Sequence, residues 1–210
     1  MGFLSDPRAI EARSREIIAA RVGDLGLEPG ARAIVTRIIH ATGDLSYASL
    51  VAVHPGVVAA ATAALRQGAD IITDVEMVRN GVSSHLVSRG GGRVLCAIRE
   101  AEVIKTATAR GETRAMVAME YLAPRMDGAI VAIGNAPTAL FRLLELVAGG
   151  WAAPAAIVGT PVGFVGAAEA KAALETTGIP YVTVRGPKGG STVAVAAVNA
   201  LLHLAWDEEE

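Results

Sequence analysis

From about residue 69 the chain repeats one design: a short apolar run, a turn, and a stretch with helical spacing. The runs are ADIITD, RVLCAI, GAIVAIG, AAIVGT and PYVTVRG. Each is too short for an ordinary helix, and their Ile, Val and Thr residues favour extended backbone. Between them, PTALFRLLELVAGG places Leu140, Leu143, Leu144 and Val147 at helical spacing before two glycines. AEAKAALETTG repeats the arrangement with Gly178 as its C-cap, and STVAVAAVNALLHLA reads as an apolar helix with Ser191 or Thr192 near its N-cap. Five strands that alternate with helices predict an α/β fold, a doubly wound and mainly parallel sheet covered on both faces.

Upstream of the first strand the spacing predicts additional helices. Residues 7–22 form an amphipathic one, with Ile10, Ile17 and Ile18 on its apolar side; a second runs from about Pro29 to Ala41. A third opens at Pro55 and is closed by Gly68. The whole of 1–210 is expected to be a single domain, since 52% apolar residues suffice for one sizeable core.

Charge and cysteine usage narrow the function classes. Nineteen basic against twenty-one acidic side chains give a net charge of -2, which argues against a broad nucleic-acid-binding field. Sixteen of the nineteen basic residues are Arg, so a local anion pocket remains open. Cys96 is alone and lies in an apolar run, which points to a buried structural thiol. No CxxC or HExxH motif predicts a metal site. The first residues meet charge too early for a signal peptide, and AAIVGTPVGFVGAA is broken by Gly and Pro and is shorter than a membrane helix. The expected location is the cytoplasm, with the terminal DEEE as a solvated tail.

The segment that looks most like chemistry is TRIIHATGD. It sets Arg37 and His40 three residues apart near a helix end, with Gly43 and Asp44 to stop or turn the helix. An imidazole beside an Arg suits proton transfer on an anionic substrate. Ligands of doubly wound sheets bind outside the carboxyl ends of the strands. The unusual loops fall there: Thr73-Asp74, Gly134 to Pro137, Gly159 to Gly163 and Gly186 to Ser191. In GNAPTAL, Gly134 permits a tight turn and Asn135 presents an amide, although a plain strand-to-helix turn needs no ligand. GPKGGST looks like an anion loop around Lys188, but it does not fit GxxxxGK[ST]. Asp74 is read as the cap of the helix that follows it, in preference to a catalytic carboxylate pair with Asp70 or Glu76. Thr113 and Arg114 start another apolar helix, where Arg114 either clamps an anion or faces water. Met116 and Met119 are read as core, and His54, His85 and His203 are left outside the catalytic assignment.

PRAIEARS, RIIHATGD, DVEMVRNGV, GNAPTALFRLLEL, GTPVGFVGAAEAK and PKGGS, in that order, resemble the precorrin-8X methylmutase (precorrin isomerase) family, including its cobalt-precorrin-8 members. The resemblance spans almost the whole chain. It implies a flavodoxin-like sheet of five parallel strands, a homodimer, and a corrinoid tetrapyrrole as substrate and product. The implied reaction moves a methyl group from C11 to C12 of the corrin precursor, in vitamin B12 biosynthesis and without a cofactor. It further implies that His40 is catalytic, that Ser14 and Arg37 contact the substrate, and that Thr113, Arg114 and Asn135 line the same region. Lys188 joins them as a candidate carboxylate clamp. Pro187 and Ala115 depart from the family's usual Arg and Ser. Two competing readings are a nucleotide-dependent transferase or oxidoreductase that uses the glycine-rich loops, and a carrier that binds the tetrapyrrole without converting it.

Overall fold

The computed structural model describes residues 3–206. Among them, a six-stranded sheet runs in the order β1-β6-β5-β4-β2-β3. Five strands are mutually parallel: β2 (Ile71–Thr73), β3 (Val94–Leu95), β4 (Ile130–Ile133), β5 (Ala156–Gly159) and β6 (Tyr181–Val184). These are the five expected runs, and taken alone their spatial order is 2-1-3-4-5, the flavodoxin order.

The sixth strand corrects the expected count. β1 (Val51–Val53) pairs antiparallel with β6, in the register Val51↔Val184, Ala52↔Thr183 and Val53↔Val182. It is only three residues long and follows directly on the helical turn Tyr47–Leu50 (α3), so no turn signal sets it apart. Its ladder covers the edge that β6 would otherwise expose.

Strand side chains alternate between two cores. Ile130 and Ala132 of β4 face one core, while Val131 and Ile133 face the other. The first core is covered by α1 (Pro7–Val22), α2 (Pro29–Thr42), α4 (Val57–Arg66), α5 (Glu76–Gly81), α6 (Ser84–Arg89) and α11 (Ser191–Trp206). The second is covered by α7 (Ala101–Arg110), α8 (Arg114–Leu122), α9 (Pro137–Ala148) and α10 (Ala167–Glu175). The result is three layers. α11 is apolar nearly all round because it packs on α2 and α4 on one side and on β4 and β5 on the other. Met119 is fully buried in the second core, as its spacing implies. Among the described residues no helix is long and apolar enough to cross a membrane. The expected acidic tail lies outside the described residues.

Candidate active site

α2 buries Ile34, Val35, Ile38 and Ile39 against the core, and this stripe decides where its other side chains go. Arg37 is half-buried and His40 is exposed. The helix ends at Gly43, whose left-handed backbone (φ 66°) lets its N–H donate to the Ile39 carbonyl. α1 lies alongside, anchored by Ile18, and the two helices enclose a cleft of about 260 Å³. Ser14 and Arg21 of α1 and His40 of α2 line it, with Ile17, Ile39 and Leu45 as apolar walls. The Ser14 hydroxyl donates to the Ile10 carbonyl at 2.9 Å, which holds its oxygen against α1. Glu11, one turn before, has its carboxyl held below the usual range, chiefly by Arg15, with Arg37 and His40 adding to the effect. The fold therefore gathers Ser14, Arg37 and His40 on one side of the molecule. Arg21 was not anticipated, yet it lies seven residues after Ser14 on the same helical face.

The stretch after α2 is tied to the carboxyl end of β6. Lys188 Nζ pairs with Asp44 Oδ2 at 2.5 Å and donates to Ser46 Oγ at 2.8 Å. It also lies 5.8 Å from the centre of the Tyr47 ring. The Lys188 contact is the first cause, and Ser46 the second, of an Asp44 pKa lowered to about 2. The Lys188 ammonium thus already has protein partners. The backbone of its loop is held as well. Gly163 N–H donates to Pro187 O at 3.1 Å and Gly190 N–H to Thr160 O at 2.8 Å, while Lys171 Nζ donates to Lys188 O at 2.5 Å. Lys171 is fully buried, and that burial lowers its pKa to about 8. Its signal in the sequence is faint: a single Lys in register with Ala167, Ala170 and Leu174 on the inner face of α10.

Thr113, Arg114 and Asn135 form a second group at the carboxyl end of β4, all exposed. Thr113 caps α8, accepting from Met116 N–H at 3.3 Å, and its hydroxyl lies 2.8 Å from that of Thr138 in the first turn of α9. Asn135 lies in the β4–α9 turn, just before the N-cap Ala136. This group is carried by helices of the second core, whereas Ser14, Arg37 and His40 belong to helices of the first.

Asp74 fills the crevice between β2 and β4, where the strand order reverses. It is fully buried, and its carboxylate accepts from Gly134 N–H at 3.0 Å and from Asn135 and Ala136 N–H at 2.8 Å each. Burial pushes its carboxyl up, while the three donors pull it back toward the ionised form. It does not cap the helix that follows it, as the sequence led one to expect; it holds the β4–α9 turn, whose three N–H groups lie just ahead of Pro137. The N–H groups that a phosphate would use at this switch point are already occupied. A larger hollow of about 550 Å³ lies at the opposite, amino end of the sheet, near the Asp70–Arg125 ion pair. Cys96 is half-buried, and burial raises its thiol pKa. His54 accepts from Gly56 N–H at 3.0 Å through Nδ1, so it stabilises its own loop.

The model of the precorrin-8X methylmutase family matches residues 9–204, nearly the full length. The chain belongs to this family. It is 48% identical over 195 residues to the cobalt-precorrin-8 methylmutase of Methanothermobacter thermautotrophicus, covering 93% of this chain and 90% of the relative. It is 44% identical over 201 residues to the precorrin-8X methylmutase of Pseudomonas aeruginosa, covering 95% and 96%. The crystal structure of the precorrin-8X methyl mutase from Thermus thermophilus superimposes with a TM-score of 0.87 at 40% identity, covering 95% of this chain and 97% of that one. The methylmutase relatives are thus enzymes of the isomerase class, and the fold is theirs as well.

Proposed function

We propose that this protein moves the C11 methyl group of precorrin-8X, or of its cobalt form, to C12, giving hydrogenobyrinic acid or cobyrinic acid in corrinoid biosynthesis. The observation that carries the mechanism is the cleft between α1 and α2, where Ser14 and His40, 26 residues apart in sequence, line one wall-to-wall space with Arg37 beside it. His40 is exposed and within reach of a ligand seated there. As a general acid it gives a proton to a ring nitrogen near the migration site, which draws electron density from the conjugated system. The C11–methyl bond then breaks as the C12–methyl bond forms in a 1,5-shift within one molecule. The proton returns to His40. Atoms and electrons balance without an external methyl donor or oxidant.

Arg37 and Arg114 are suited to grip peripheral carboxylates, with Ser14, Thr113 and Asn135 adding neutral hydrogen bonds. Lys188 acts at one remove, since its ammonium is engaged by Asp44 and Ser46. The two groups sit on helices from opposite layers, and the cleft of about 260 Å³ is small for a tetrapyrrole. A second copy of the chain, roofing each site, would complete it. Light scattering should then give a mass near twice 21.5 kDa; a fully active monomer at assay concentration would remove this part of the proposal.

The decisive experiment supplies purified protein with precorrin-8X alone, the migrating methyl being isotopically labelled. Product should form without any addition, with the label at C12 and no crossover in mixtures of labelled and unlabelled substrate. His40→Ala should keep macrocycle binding and lose about 10²–10⁴-fold of the turnover. Near-normal turnover by that variant would refute the role of His40, and binding without conversion by the wild type would make the protein a carrier.

A further inference from the structure

Lys171 heads the fully buried side chains by size among the described residues. Among the described residues no carboxylate pairs with its ammonium, which donates to the Lys188 carbonyl at 2.5 Å. A side chain needed only to fill this volume would be aliphatic, because an enclosed cation carries a penalty that one carbonyl offsets only in part. What the ammonium holds is therefore informative. At Lys188 the carbonyl turns inward to Lys171 while the side chain leaves outward to Asp44 and Ser46. Fixing the carbonyl fixes the plane of the 188–189 peptide and the Lys188 Cα that lies in it, so the point from which that side chain departs is held. The neighbouring backbone allows little slack: a Cβ on Gly189 would stand 2.3 Å from Thr160 O. Asp44 directly follows Gly43, the C-cap of α2, and His40 occupies the last turn of that helix.

We propose that Lys171 is a positioning residue: its buried ammonium orients the Lys188 peptide so that Lys188 clamps Asp44 and fixes the end of α2, and hence His40, against the carboxyl end of β6. The part that concerns His40 rests on the methylmutase reading above. The brace itself does not.

Two readouts separate them. In hydrogen exchange followed by mass spectrometry, Lys171→Met should speed exchange of the 186–190 and 43–47 amides about tenfold while β4 and β5 stay protected. In precorrin-8X turnover, the same variant should lower kcat by about tenfold with KM little changed, as expected when a reacting group is misplaced and binding is retained. Asp44→Asn should have a similar effect, and the double variant should be no worse than the more severe single one, because both break the same chain. Lys171→Gln, which keeps a donor, should recover part of both readouts, and it serves with Asp44→Asn if the Met variant does not fold. Unchanged loop exchange, faster exchange across the whole sheet, or additive losses in the double variant would each overturn the proposal. Faster exchange confined to the loop in a protein that never converts precorrin-8X would support the brace and count against the methylmutase reading.

Discussion

Replacing Lys171 by Met also tests the energetics of the buried ammonium, independently of any ligand. Burial lowers the group from 10.5 to about 8 in the folded protein, and at 1.36 kcal/mol per pKa unit the charged form is disfavoured by about 3 kcal/mol relative to the unfolded chain. Between these two values the unfolded state binds more protons than the native state, so wild-type stability rises with pH across that window. The penalty is present in full below pH 8 and fades as the solution approaches pH 10.5. From pH 7 to pH 9.5 the linkage amounts to about 2 kcal/mol. The Met variant carries no such penalty, but it leaves the Lys188 carbonyl without its donor, at a cost of about 1–3 kcal/mol. At pH 7 the variant should therefore be as stable as the wild type or about 2 kcal/mol more stable. Urea unfolding of both proteins at a series of pH values isolates the effect, because every other titrating group cancels in the difference. The wild type should gain about 2 kcal/mol on the variant between pH 7 and 9.5. A difference that stays flat over this range would show that the ammonium is not disfavoured, and the reasoning from burial would be wrong.

Asp74→Ala should cost at least about 3 kcal/mol in urea unfolding, since three N–H groups of the β4–α9 turn lose their acceptor at once; a loss below about 1 kcal/mol would mean that the turn finds other partners. Arg37→Ala and Arg114→Ala should weaken binding of hydrogenobyrinic acid in equilibrium titration, with Arg→Lys restoring only part of the affinity because the planar fork is lost. Unchanged affinity in both Ala variants would move the carboxylate clamps elsewhere. The Asp44–Lys188 bridge should survive mild acid: with its pKa lowered to about 2 from 3.8, Asp44 loses its charge only as pH falls through the lower value. Hydrogen exchange in the 186–190 loop, corrected for the intrinsic pH dependence of exchange, should therefore be steady from pH 7 to about pH 4. A loop that loosens near pH 4 would show that Lys188 does not hold Asp44 in solution.

The nucleotide-dependent reading rested on glycine-rich loops at the right end of the sheet, and the geometry shows what those loops do instead. The Gly134–Ala136 N–H groups converge, as an anion site requires, but on the Asp74 carboxylate. In the Gly186–Gly190 loop, Gly190 N–H is committed to Thr160 O and Lys188 to Asp44. Gly189 is needed for close backbone contact with Thr160, and a phosphate cradle is not required to account for it. Both loops spend their polarity on the protein itself.

Local periodicity made most of this fold legible. The limits of α1 match the expected 7–22, α2 runs one residue beyond the expected Ala41, and the five parallel strands fall on the five apolar runs. In each case the signal is local in sequence, where spacing and capping act. β1 escaped because three residues carry too little alternation, and its partner lies more than 120 residues away in β6. The site was legible in a different measure. His40 and Arg37 stood out by residue type and Ser14 by resemblance, yet the arrangement around Lys188 did not. Its partner Asp44 is 144 residues distant, and GPKGGST reads as an exposed cationic loop until that partner is placed. Lys171 was harder still, because a lysine on a short helix is ordinarily solvated, and this one is buried in a helix that packs on both α9 and β6. Sequence pattern reports which face of an element is apolar; whether a polar group on that face finds a partner is set by chain segments that the pattern does not connect. The residues that hold a site in place are for this reason less visible in the sequence than those proposed to perform its chemistry.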